Sequence, residues 1–147
     1  MMAVDPDFVI SAARSWLGTP YHDQASLRSV GCDCLGLARG VWREVVGGEP
    51  FPIPPYSRDW GETGPREVLA EGARAMMPEI ALSDASPGAL ILFRMAPRAI
   101  AKHVGIFTST DSFIHSYERL GVVEEPLTPA WRRRIAFAFL FLPSDSI

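Results

Sequence analysis

Both cysteines of this 147-residue chain lie in the stretch GCDCLGL, with Cys32 and Cys34 separated by one residue. The three histidines are His22, His103 and His115. Three chemistries fit these residue types. A Cys32–Cys34 disulfide would close a very tight ring and needs special geometry. Cys32, Cys34, His103 and His115 make up the four ligands of a tetrahedral zinc, although C-x-C is shorter than the usual zinc knuckle and a helix starting at Cys34 would aim the two thiolates differently. The third is a nucleophilic thiolate with an imidazole base. Cys34 is expected to open a helix with Asp33 near its N-cap. A helix N-terminus carries partial positive charge and free N–H groups, which favour a thiolate and can donate to an oxyanion. On this reading Cys34 is the more acidic of the two thiols. Against all three stand ordinary packing roles, since a free cysteine often serves as a small buried hydrophobe.

The elements that must position these groups read as helices first and strands later. Asp5 looks like an N-cap with Pro6 at the first helical position, Phe8, Ala12 and Trp16 recur at helical spacing, and Gly18 ends the helix. A second helix runs from Cys34 to Val46, before Gly47–Gly48, and a third fits Pro65–Met77. Between them lies GGEPFPIPPYSRDWGETG, a loop whose aromatics Phe51, Tyr56 and Trp60 suit either local packing or a docking surface. After Pro87–Gly88, strands are expected over 89–94, 103–108, 112–117, 121–125 and 135–142, with a capped helical turn in TPAW (128–131). If 109–111 form a three-residue hairpin loop, Thr108 faces Ser112 and Gly105 faces His115. His103 and His115 are then diagonal neighbours on one face, with open space over Gly105, so that one imidazole can act as base while the other orients it. A slip of one residue would separate them. Helices followed by antiparallel strands make an α+β domain.

Composition narrows the partners. A net charge of −3 gives no electrostatic case for nucleic acid, and the basic run Arg132–Arg134 is short. The opening MMAVDPDFVI lacks the basic and apolar regions of a signal peptide, and the longest apolar run, IAFAFLFL, falls far short of the ~20 residues that span a bilayer. Synthesis in the cytoplasm without a signal peptide is therefore expected, and a reducing compartment disfavours a disulfide.

The segments GTPYHDQASLRSVGCDCLGLARGVW (18–42), PGALILF (87–93), KHVGIF (102–107) and FIHS (113–116) resemble the NlpC-type cell-wall cysteine peptidases. These are papain-like endopeptidases of peptidoglycan stem peptides. The likeness is greatest to the branch carried by phage tails and gene transfer agents, WRRRI (131–135) included, and it spans about residues 8 to 142. It implies a single domain over 1–147 of papain-like α+β fold, with N-terminal helices packed on a curved antiparallel sheet of about five strands. It implies a peptidoglycan-degrading cysteine endopeptidase that cuts the D-γ-glutamyl–diaminopimelate bond, with Cys34 as nucleophile, His103 as base and His115 as the orienting residue. Tyr21, in GTPY, lines the site and assists the oxyanion, beside Asp33 and Leu35. No metal or other cofactor is implied. The chain departs from the family pattern at Leu35, where cellular members typically have Ser, and at Ala89, where many have Asp. The expected partners are stem peptides and the tail hub or baseplate proteins of a phage-like particle acting in the target cell's periplasm or wall, with no nucleic acid or membrane partner. A tail or baseplate assembly protein that keeps the fold but not the activity is the rival reading, and an acyltransferase on the same scaffold is a third.

Overall fold

The computed structural model describes residues 4–49 and 66–142. The first helix, α1 (Pro6–Arg14), begins where Asp5 accepts a hydrogen bond from the Asp7 amide at 2.9 Å, with Pro6 as its first residue. Its buried stripe is Val9, Ala12, Ala13 and Trp16, spaced i, i+3, i+4, i+7, whereas Phe8 is 46% exposed. The expected stripe through Phe8 is thus rotated by one position, because Val9 completes the helical spacing with Trp16. A short hairpin of β1 (Ser26–Leu27) and β2 (Gly31–Cys32) leads into α2 (Cys34–Val45). The third helix, α3, covers Val68–Met76. Most of the aromatic loop before it, with Phe51, Tyr56 and Trp60, lies outside the described residues, and so does the docking role expected of it.

The strands follow as β3 (Glu79–Ile80), β4 (Leu90–Phe93), β5 (His103–Ser109), β6 (Ser112–Tyr117) and β7 (Gly121–Pro126), then helix α4 (Pro129–Arg134) and β8 (Ile135–Phe139). They form one antiparallel sheet in the order β3-β8-β4-β5-β6-β7. All five expected strands are present, and the two-residue β3 adds a sixth at the edge. The expected turn in TPAW is a full short helix, capped by the Thr128 hydroxyl, which accepts from the Trp131 amide. Among the described residues no helix is long and apolar enough to cross a membrane.

Alternation along the strands sorts the sheet into two faces. Leu90, Leu92, Val104, Ile106, Ile114, Val122 and Phe139 meet the buried stripes of α1, α2 and α3. Ala89, Ile91, Phe93, Phe107, Phe113 and Ala138 make a second, smaller core closed by Leu127 and Trp131. The β5–β6 hairpin differs from expectation by one residue. Ser109 pairs with Ser112, leaving a tighter loop, and Thr108 is taken up as an irregularity before Phe107 pairs with Phe113. Hydroxyl contacts hold this shape: Thr108 Oγ1 lies 2.7 Å and Ser109 Oγ 2.6 Å from Ser112 Oγ. Beyond it Ile106 faces Ile114, which is the expected register, so the face assigned to each histidine is unaffected.

Gly36, in the first turn of α2, is required by close approach. A Cβ there would lie 1.8 Å from the Ala25 carbonyl oxygen, a backbone atom that also accepts from the Asp33 amide at 3.3 Å. Gly36→Ala is expected to cost stability at or above the top of the ~1–3 kcal/mol range for overpacking. Chemical denaturation reads this directly, and a loss under ~0.5 kcal/mol would show that this turn is less tightly held than its contacts require.

Candidate active site

The chain enters α2 through a tightly bonded segment. The Cys32 amide donates to the Pro20 carbonyl at 3.0 Å, and the Cys32 carbonyl accepts from the His22 amide at 3.1 Å and the Ser116 hydroxyl at 2.8 Å. Tyr21 forms an isolated bridge with Cys32. Asp33 caps the helix by accepting from the Gly36 amide at 2.7 Å, and it also accepts from the Gln24 amide at 2.7 Å. Cys34 is therefore the first residue of α2, as its position after Asp33 predicts. Both cysteines are free; Cys32 is fully buried and Cys34 half-buried.

His103 and His115 are brought together as the register requires. His103 Nε2 and His115 Nδ1 are 2.7 Å apart, with ring centroids 5.0 Å apart and planes at 82°. His22 is exposed, its Nδ1 lying 3.2 Å from the Asp23 carbonyl oxygen, and takes no part. The space over Gly105 is not open, as was expected of it. A Cβ there would meet Phe93 and Phe113 ring atoms at 3.0 Å, so these two rings fill the notch and support the imidazole pair from below. Trp131 stands over the same group, with its centroid 5.1 Å from His115 and 5.7 Å from His103, and Tyr117 stacks on His115 at 5.2 Å.

Sequence reasoning missed two contributors. Glu125 Oε2 lies 2.5 Å from His115 Nε2. It was legible in principle: on β7 it pairs with Phe113 while Val123 pairs with His115, so it is a diagonal neighbour on the histidine face. Trp131 is legible in sequence only as part of TPAW and WRRRI, because nothing local shows which way a six-residue helix will turn its ring.

The thiol and the imidazoles come from opposite faces of the sheet and approach where β5 begins. Cys34 Sγ lies 3.8 Å from the carbonyl oxygen of Lys102, the residue before His103. Among the described residues no hydrogen bond joins the thiol to His103, whose Nε2 is committed to His115. Burial, then the charge of Asp33, pushes the Cys34 thiol up to about 12, against the amides of Val104, Leu35 and Cys34. The helix N-terminus was expected to depress this thiol. The amides of that helix end do act in this direction, but burial outweighs them and the Asp33 carboxylate adds to burial. Cys32 is pushed up to about 11, mainly by burial, so both thiols are held protonated near neutral pH. Burial, with help from His115 and Arg134, brings His103 down to about 3. His115 is also lowered by burial, with Glu125 opposing. Burial thus favours the neutral form of both the thiol and the imidazoles. Tyr21 is raised by burial and then by Cys34, Asp23 and Asp33, so its phenol stays protonated near the sulfur. Leu35 is partly buried against the helical-face core, leaving only its amide for chemistry. Among the described residues no cluster of three or more His, Cys, Asp or Glu side chains could hold a metal ion. The zinc reading of the four Cys and His side chains therefore finds no geometry here.

These shifts fix the pH dependence of stability. The buried histidines stay neutral in the fold but protonate in the unfolded chain below about 6.5, so the unfolded state binds more protons and stability falls as pH drops from ~6.5 toward ~3. The raised thiols lose protons first in the unfolded chain, so stability also falls above ~8.5. Melting temperature against pH should show a plateau between these limits. A melting temperature that rises from pH ~6.5 to ~5 would contradict the neutral imidazole pair.

Comparison with known proteins adds lineage to this geometry. A sequence model described as the NlpC/P60 family matches residues 18–138. The murein DD-endopeptidase MepS/murein LD-carboxypeptidase of Escherichia coli K12 is 27% identical over 120 residues, covering 81% of this chain and 54% of that protein. The chain thus spans about half the length of the curated relatives it matches. An NlpC/P60 family protein from Bacillus cereus superposes with a TM-score of 0.69 at 23% identity, over 97% of this chain and 42% of the other. The NlpC/p60 domain of the peptidoglycan hydrolase SagA superposes with a TM-score of 0.64 at 23% identity, over 92% and 98% of the two chains. At these identities the superpositions carry the papain-like α+β fold.

Proposed function

The chain belongs to the NlpC/P60 family, and from that membership we propose that it is a cysteine peptidase hydrolysing peptidoglycan stem peptides. The observation that supports this most is the imidazole pair, His103 Nε2 to His115 Nδ1 at 2.7 Å, placed at the strand end that Cys34 approaches from the start of α2. Cys34 is the nucleophile, His103 the base and His115 its orienting partner. Since Nε2 of His103 is taken, its Nδ1 receives the thiol proton as Sγ bonds to the scissile carbonyl carbon. In this reading the amides of Cys34 and Leu35, with the protonated Tyr21 phenol, donate to the oxyanion, and Asp33 caps their turn of helix. His103 then gives the proton to the leaving amine, and water hydrolyses the thioester with His103 again as base.

The bond assigned is D-γ-glutamyl–diaminopimelate, and the carrier assigned is a phage-like or gene-transfer-agent tail, which brings the enzyme to the target cell's wall. The tail assignment rests on the likeness of the sequence segments, WRRRI among them. Digestion of diaminopimelate-type muropeptides with mass readout tests the bond. A disaccharide–dipeptide product supports it. Separation of cross-linked dimers at a D,D bond, or loss of one terminal residue, would move the chain to the activities named for the Escherichia coli relative. A silent assembly protein is the second reading, favoured by the thiol's contact with the Lys102 carbonyl instead of with His103. It gains if wild type and Cys34→Ala give identical products.

A further inference from the structure

We infer that Glu125 is a positioning residue that sets the proton direction along the whole relay, Glu125–His115–His103, and thereby leaves the lone pair of His103 on Nδ1. The inference rests on the peptidase reading above and deepens it. A carboxylate can only accept a hydrogen bond, so the Nε2 of His115, 2.5 Å from Glu125 Oε2, must be the N–H that donates. A neutral imidazole has one N–H, so Nδ1 of His115 is left as an acceptor. It is 2.7 Å from His103 Nε2, which must therefore donate. The one N–H of His103 is then spent inside the relay, and Nδ1 is the basic nitrogen. Reversing the first bond reverses the others: with a donor in place of the carboxylate, His103 would hold its N–H on Nδ1 and could not accept the thiol proton.

The surroundings support this assignment. His115 is completely buried and His103 nearly so, and burial drives both rings toward the neutral form that the argument uses. The rings are walled by Phe93, Phe113, Tyr117 and Trp131, none of whose side chains offers a carboxylate or carbonyl in place of Glu125. Glu125 keeps about a third of its side-chain surface. It sits at the solvent edge of the buried pair, and Arg14 of α1 is engaged by Glu124.

The test uses two variants and a readout that does not depend on activity. Two-bond 15N–1H spectra of the wild-type protein should show both His103 and His115 as Nε2–H tautomers. Glu125→Leu, which leaves nothing to accept, should convert His115 to a mixture. It should also lower kcat on muropeptides on the order of 10–100-fold with KM little changed, as expected for loss of tautomer control at one remove from the base. Glu125→Gln is nearly isosteric and can still accept through its amide oxygen, so it should retain more of both the tautomer and the rate. If Glu125→Leu fails to fold, the Gln variant carries the comparison. A wild-type Nδ1–H tautomer at either ring, or tautomers and kcat unchanged in Glu125→Leu, would overturn the inference. Tautomers as stated in a wild-type protein that cleaves nothing would support the relay and remove the peptidase reading instead.

Discussion

Cys34→Ala is expected to abolish stem-peptide cleavage, with a loss of at least about 10⁴-fold, while the protein melts close to the wild-type temperature. Removing a nucleophile that acts as a unit with its base removes nearly all the rate the pair supplies, typically 10⁴–10⁶-fold. Alanine suits the first position of α2, and the Asp33 cap that starts this helix does not involve the Cys34 side chain. Cys34→Ser should be equally crippled, because burial and Asp33 already hold a thiol neutral and a hydroxyl is far less acidic. Cys32→Ser should keep its activity, since the Cys32 carbonyl holds the segment through the His22 amide and the Ser116 hydroxyl, and a serine hydroxyl can still meet Ser116. The resting pKa values add a sharper expectation. Iodoacetamide should label neither cysteine quickly near pH ~6, and the Cys34 rate should climb about tenfold per pH unit from neutral to alkaline pH. Mass-spectrometric mapping of the alkylated peptides gives the rate at each site. Rapid, pH-independent labelling of Cys34 would mean that a preformed thiolate exists, and full cleavage by Cys34→Ala would remove the cysteine mechanism altogether.

What the sequence reveals about this site, and what it hides, divides along physical lines. The start of α2 is local: Asp33 next to Cys34, followed by Leu37, Ala38, Val41 and Trp42 on one face, is enough to place the thiol at a helix end. The histidine pair is nearly local, because a short hairpin has few registers and the period of two then decides the face. Even the bulge at Thr108 does not disturb this, since it absorbs its extra residue before reaching Ile106 and Ile114. Glu125 needed a second register, between β6 and β7, carried across the turn that ends at Gly121. Trp131 needed the direction of α4 over the sheet, which no periodicity in six residues can give. The charge states were the least legible. The helix end favours a thiolate and burial favours a thiol, and only the three-dimensional surroundings say that burial wins. The same limit explains Gly105, where sequence shows a missing side chain but not the two phenyl rings that fill its place. Family resemblance supplied roles for Cys34, His103 and His115, yet it said nothing of the carboxylate that orders their protons.

His103→Ala is the other variant with a large expected effect, a fall of about 10²–10⁴-fold in kcat/KM. It removes the base proposed to take the thiol proton, and the resting thiol cannot compensate by ionising, because burial and Asp33 keep it protonated at neutral pH. His115 acts on the reaction only through His103, so its variants should be graded by what they offer to His103 Nε2. His115→Gln can still accept that N–H through its amide oxygen and should retain more activity than His103→Ala. His115→Leu offers nothing, leaves the His103 N–H unpaired in an aromatic pocket, and should fall below His115→Gln in both rate and melting temperature. The diagnostic is the order of kcat/KM: wild type, His115→Gln, His115→Leu, His103→Ala. If His115→Gln is as inactive as a folded His103→Ala, the roles of the two histidines must be exchanged. If His115→Leu is as active as wild type, His115 is a packing residue and the relay from Glu125 ends before it reaches the base.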